Sequence, residues 1–303
     1  MASWQMRAVA AYLRLTARPR MATAERAARR IAAPKAEPQR PRRLRERHEV
    51  TEVVISGFRC ISVRPRRLTR HPGPTAPGAG RAVVYVHGGS YINPITTQHW
   101  SFITALADAG CRVEVPLYGR APHHTVAEAV PFVTAVYERL LRTCPASMIG
   151  IAGDSAGGGL ALAATQAMRD RLPLPAKLVL IAPWLDVTMS NPAIAEAAGS
   201  DPWLSPVGLV EAGRAWLGGR DGRDPWASPL FGSFQGLPPM EAVVGTRDLF
   251  RPDVLLLRER CEAAGVPCRV DVVEGAVHVY PLTPTPEGHE AASALVTSLT
   301  ATA

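Results

Sequence analysis

Apolar and polar positions follow two different rhythms along this chain. From residue 49 the period is two: residues 49–55 and 58–64, split by Ser56-Gly57, predict a β-hairpin. The Pro- and Gly-dense stretch 71–80 predicts a loop. Beyond it, short apolar runs take turns with longer stretches of helical period. The runs 81–86, 111–117, 148–153, 177–182, 240–245 and 268–273 predict strands, and helices are predicted near 99–108, 126–141, 156–169, 252–264 and 286–299. Such alternation predicts an α/β fold, with a mostly parallel central sheet of about eight strands and helices on both faces. The interval 184–239 breaks the rhythm, and its Pro, Gly and Trp content predicts an insertion over the sheet. Ahead of the hairpin, Trp4, Ala8, Val9, Tyr12 and Leu13 recur at helical spacing, and residues 34–43 predict a semi-rigid Pro/Arg linker. The chain therefore divides into a basic segment, 1–48, and an α/β domain, 49–303, with its insertion at about 184–239.

Composition narrows the function classes. At 303 residues, with 47% hydrophobic and 20% charged, the chain can bury a full core and does not resemble a disordered one. No apolar run approaches the length that crosses a bilayer. Cys60, Cys111, Cys144, Cys261 and Cys268 are scattered and form no CxxC pair. That pattern speaks against a disulfide framework or a thiolate zinc site and for a reducing, cytoplasmic location. The net charge of +8 suggests nucleic acid until it is located. Residues 1–50 carry 13 basic and 4 acidic groups, whereas the remainder carries 21 and 22. Lys35 and Lys177 are the only lysines, so the arginine-rich bias reads as a GC-rich coding sequence, and no nucleic-acid partner is expected. The first apolar stretch is short and interrupted by Arg14, which does not fit a secretory signal. The N-terminal helix is expected to pack on the protein's own body, with peripheral contact to an anionic membrane as the alternative.

Chemistry concentrates at predicted strand ends. Gly153-Asp154-Ser155-Ala156-Gly157 fits G-x-S-x-G between a strand and a helix, where a sharp turn pushes a serine hydroxyl above the sheet. His87-Gly88-Gly89-Ser90 ends an earlier strand; the N–H groups of Gly88 and Gly89, with that of Ala156, supply oxyanion donors. Of the histidines weighed as base, His278 follows the last strand. His289 lies in the terminal helix, His87 braces its loop, and His48 and His71 flank loops or linkers. His123-His124 lacks further ligands at metal spacing, so neither a metal nor another cofactor is expected. Asp248 follows the strand next to the one that leads to His278, which favours it over Asp186 and Asp253 as the orienting acid and keeps the chain order Ser…Asp…His. Ser90, Tyr91, Asp154 and Tyr280 are the candidate substrate contacts. Trp4, Trp203 and Trp216 either line a pocket with Tyr91 or fill a cap core.

This ordered series, completed by Gly158, Trp184-Leu185-Asp186, Gly245–Asp248 and Gly275–His278, resembles the α/β-hydrolase family, specifically its hormone-sensitive-lipase-like branch of bacterial esterases and acetyl-hydrolases. The resemblance covers roughly residues 80–290. It implies a serine esterase acting on small acyl esters, acetyl esters included, with the N-terminal helices forming part of a cap. It also implies Ser155 as nucleophile, His278 as base, Asp248 as acid, and Gly88, Gly89 and Ala156 as oxyanion donors. Two departures stand out. Ser90 replaces the family's third glycine, and Leu117-Tyr118-Gly119-Arg120-Ala121-Pro122-His123-His124 replaces D-Y-R-L-A-P-E-H. A lactonase, an amidase or deacetylase, or an acyltransferase would use the same triad. A non-catalytic binding module should have lost a triad member. A homodimer is a further expectation.

Overall fold

The computed structural model describes residues 2–36, 40–66 and 80–301; the expected loop at 71–79 and residues 37–39 of the expected linker lie outside them. The hairpin forms as β1 (His48–Ile55) and β2 (Phe58–Pro65), paired antiparallel around Ser56-Gly57. The other strands are β3 (Ala82–Val86), β4 (Arg112–Leu117), β5 (Ile149–Asp154), β6 (Lys177–Ile181), β7 (Met240–Arg247) and β8 (Cys268–Val277). They join one eight-stranded sheet of order β1-β2-β4-β3-β5-β6-β7-β8, parallel from β4 through β8. Burial explains why the rhythms differ. Every residue of central β3 and β5 is buried, so each reads as a continuous apolar run, whereas edge strands β1 and β8 alternate.

Ten α-helices lie among the described residues. In chain order they are α1 (Trp4–Thr16), α2 (Ala24–Ala32), α3 (Arg42–Arg47), α4 (Thr97–Asp108), α5 (Val126–Leu141), α6 (Ala156–Met168), α7 (Ile194–Ser200), α8 (Pro206–Leu217), α9 (Arg251–Ala263) and α10 (Pro286–Thr300). Helix α4 packs with α10 and α5 with α6, clothing the sheet. The insertion carries α7 and α8, and the N-terminal arm lies against them. Helix α2 packs on α8, and Met21 approaches so closely that a Cβ on Gly208 would stand 2.5 Å from the Met21 Cβ. Arg18 donates to the carbonyls of Ala198 and Asp201 at the end of α7. Two distant stretches of sequence thus build one layer. Its Trp216 stacks on Tyr91 in the loop after β3, and its Trp203 meets His278 after β8. The layer accordingly stands over the carboxyl ends of the strands.

Candidate active site

Strand β5 runs into Ser155, which links it to α6 at φ 50° and ψ −122°, a conformation that strains any residue with a Cβ. Two anchors hold the kink: the Ser155 N–H donates to the Ile181 carbonyl (2.8 Å), and the Ser155 carbonyl accepts from the Trp184 N–H (2.9 Å). The flanking glycines are a matter of space. A Cβ on Gly157 would stand 2.1 Å from the Val86 carbonyl oxygen, and one on Gly153 would stand 2.4 Å from the Gly157 carbonyl oxygen. The helix can start against β3 only without them.

Ser155 Oγ lies 2.9 Å from His278 Nε2, and His278 Nδ1 lies 2.8 Å from Asp248 Oδ2. A carboxylate can only accept, so Nδ1 carries the proton and donates to Asp248, leaving Nε2 to accept from the serine hydroxyl. An irregularity in the β7–β8 register between Gly245 and Arg247 turns the chain out of the sheet just before Asp248. Asp248 Oδ1 accepts the Phe250 N–H (2.9 Å), fixing the carboxylate plane. All three side chains are nearly enclosed, Ser155 being 6% exposed. Burial works against a charged imidazole, yet the Asp248 carboxylate, aided by Asp201 and Asp154, holds His278 above the usual histidine range. The alternative acids are occupied elsewhere. Asp186 accepts from the N–H and hydroxyl groups of Thr188 and Ser190, and Asp253 accepts from the Asn191 amide.

The oxyanion side needs a correction. Gly88 does not offer its N–H, which donates to Asp154 Oδ1 (2.9 Å). Among the described residues, the N–H groups of Gly89, Ser90 and Ala156 donate to no protein acceptor. Gly89, Ser90 and Tyr91 all have positive φ, so the loop coils tightly above Ser155. The departure at Ser90 therefore leaves its backbone in the left-handed state that a glycine would adopt freely.

The candidate substrate contacts sit in different settings. Asp154 is buried with both oxygens engaged: Oδ1 accepts from Tyr85 Oη (2.7 Å) as well as Gly88, and Oδ2 meets His99 Nε2 (3.2 Å). Burial pushes its carboxyl up, but His99, Tyr85 and the Gly88 N–H outweigh that and hold it below the usual range. Tyr91 is packed between Trp216 and Trp184, at centroid distances of 4.2 and 5.4 Å. Tyr280 is buried in the turn before α10. Ser90 is half-buried in the loop. Trp216 is fully buried, Trp4 faces solvent, and half-buried Trp203 meets the His278 ring edge-on.

His87 stacks on Tyr118, and burial pushes it down to about 4, so it is a neutral brace. His124 pairs with Glu128 and packs on Phe58. No group of three or more His, Cys, Asp or Glu side chains among the described residues is placed to hold a metal. Sequence reasoning missed His99 and Asp201. A signal existed for His99, which stands three residues after Thr96 and completes a capping box in place of the usual Glu or Gln. Asp201 stands before Pro202 in the insertion, where nothing local marks it.

With this geometry in view, three likenesses carry weight. An acetyl-hydrolase of Streptomyces hygroscopicus is 36% identical over 204 residues, covering 66% of this chain and 68% of that protein. An esterase of Acinetobacter venetianus is 31% identical over 216 residues, covering 68% of this chain and 70% of that one. The crystal structure of an esterase from the bacterial hormone-sensitive lipase family superposes with a TM-score of 0.78 at 27% identity, covering 99% of this chain and 98% of that one. The family model described as the alpha/beta hydrolase fold matches residues 83–282, the span that holds the elbow, the acid, the base and the coiled loop. The chain belongs to the α/β-hydrolase family and, within it, to the hormone-sensitive-lipase-like esterases.

Proposed function

We propose that this carboxylic-ester hydrolase works through an acyl-enzyme on Ser155 and accepts short- to medium-chain acyl esters, acetyl esters included. The observation that carries the reading is the pair of contacts from Ser155 Oγ to His278 Nε2 (2.9 Å) and from His278 Nδ1 to Asp248 Oδ2 (2.8 Å). His278 takes the serine proton as Oγ attacks the ester carbonyl. Gly89, Ser90 and Ala156 donate to the oxyanion, and the alcohol leaves with the proton from His278. Water, deprotonated by the same imidazole, then attacks the acyl-enzyme and releases the acid and the serine. The names of the two sequence relatives, an acetyl-hydrolase and an esterase, support the short-acyl range.

In the same reading, residues 1–48 and about 184–239 together form a cap over the 49–303 domain. The packing of α2 on α8 and the grip of Arg18 on the end of α7 support this. The arm's outer face suits peripheral contact with an anionic membrane: Trp4, Tyr12 and Leu15, all exposed, share one side of α1 beside exposed Arg7 and Arg14. Salt-sensitive binding to anionic vesicles tests this, and a shift to dimer mass in sedimentation would assign the face to a second copy. Five free thiols support a cytoplasmic location, and no described helix is long and apolar enough to cross a membrane.

The test of the chemistry is turnover of nitrophenyl esters from acetyl to lauroyl by the wild type and Ser155→Ala. A fall of several powers of ten in the variant, with a fluorophosphonate adduct on Ser155 of the wild type, is expected. An adduct on another residue would overturn the assignment.

A further inference from the structure

Behind His278 stands a second buried carboxylate that the acyl-transfer scheme does not use. Asp201 caps the end of α7 and is 0% exposed. Its Oδ1 accepts the N–H groups of Trp203 (2.7 Å) and Leu204 (2.9 Å), within its own loop. Its Oδ2 accepts the N–H of Leu249 (2.9 Å), the residue directly after Asp248. Its carbonyl accepts from the Arg18 guanidinium of the N-terminal arm. One residue therefore joins the insertion, the arm and the loop that carries the orienting acid. The same loop places Trp203 edge-on to His278 at 5.5 Å, while Phe250, from the acid loop, meets the imidazole edge-on at 5.2 Å.

We propose that Asp201 is a positioning residue for the acid–base pair: it holds the Asp248 loop and Trp203 in register and adds a second negative charge behind the imidazole. The proposal rests on the reading of His278 as the base. Two oxygens serving three N–H groups on two segments is a task for a carboxylate; an asparagine would offer only one acceptor oxygen. The charged groups around the pair are few. The Asp248, Asp201 and Asp154 carboxylates all act on His278, Arg18 spends its charge on the carbonyls of α7, and Arg247 reaches the Ser200 carbonyl at 3.5 Å. Burial and the neighbouring Asp248 push the Asp201 carboxyl up to about 6, whereas the loop N–H groups and the His278 charge draw it down. Docking of cap and arm is thereby linked to the proton affinity of the base.

The test compares wild type with Asp201→Asn by the pH profile of kcat/KM and by NMR titration of the His278 imidazole, assigned with His278→Gln. Removing the charge should lower kcat roughly tenfold with little change in KM. It should also move both the acid limb and the imidazole titration down by roughly half a unit to one unit. A variant that stays folded with an unmoved imidazole titration would reduce Asp201 to a structural cap and overturn the proposal. The NMR readout needs no substrate, so it stays decisive if the wild type fails to hydrolyse esters, a result that would strike the proposed chemistry instead. Should Asp201→Asn not fold, the wild type still decides. Its imidazole should titrate above the ordinary histidine range, and a midpoint at or below about 6.5 would overturn the proposal.

Discussion

At Ser155 the chain spends conformational energy to expose a hydroxyl. Its φ of 50° with ψ −122° suits glycine, so Ser155→Gly should be more stable than Ser155→Ala by about 1 kcal/mol or more. Both variants should be inactive, and chemical denaturation of the pair measures the stored strain free of any catalytic effect. The base sets the pH response. Because Asp248 and its neighbours hold His278 above the usual histidine range, and the base must be neutral to act, kcat/KM should fall as pH drops through a midpoint above 6.5. A pH–rate profile whose acid limb lies below that value would contradict it. Ser155, His278 and Asp248 were legible because each follows a recognisable strand, and strand ends of a parallel sheet converge. Gly88 was not. A run of glycines tells how many amides are available but not which one a buried carboxylate has already taken, and Asp154 takes the first.

Elements were legible where a single rhythm persisted. β3 and β5 are apolar throughout because both faces are covered, and the helices between them keep one buried stripe. The insertion was legible only as a break, since α7 and α8 are short and their packing partners, α2 and Met21, lie far away in sequence. Helix α9 shows how an element start can mislead. Asp253 sits in its first turn, where a carboxylate ordinarily gains from the helix N-terminus. Here it is fully buried with Oδ2 unpartnered, and burial pushes its carboxyl up to about 6 despite the Asn191 amide. Raised folded-state affinity for a proton means that stability is lost as pH rises from the unfolded carboxyl range, about 4, through the folded value of about 6. Asp253→Asn should therefore stabilise the protein by about 1 kcal/mol at pH 8 and lose that advantage only below about pH 4, as urea denaturation across that range would show.

Over the whole molecule, the arm ties the first residues to the last helix as well as to the insertion. Ser3 donates through its N–H and its hydroxyl to Glu287 in α10, and Met6 and Ala10 of α1 are buried. Deleting residues 1–33 should lower Tm by on the order of 5 °C and raise KM more than it lowers kcat, because the triad belongs to the remaining sheet. Calorimetry and steady-state kinetics check the two halves of that statement. A chain of stacked rings crosses the same region. Trp216 of α8 lies on Tyr91 (interplanar 2°), Tyr91 on Trp184, and Trp184 on Phe250 (14°), whose edge meets His278. Both indoles in this column are shielded from water, so they should fluoresce toward the blue. Lifting the layer would redden and dim that light, giving an optical gauge of entry to the nucleophile that needs no attached dye.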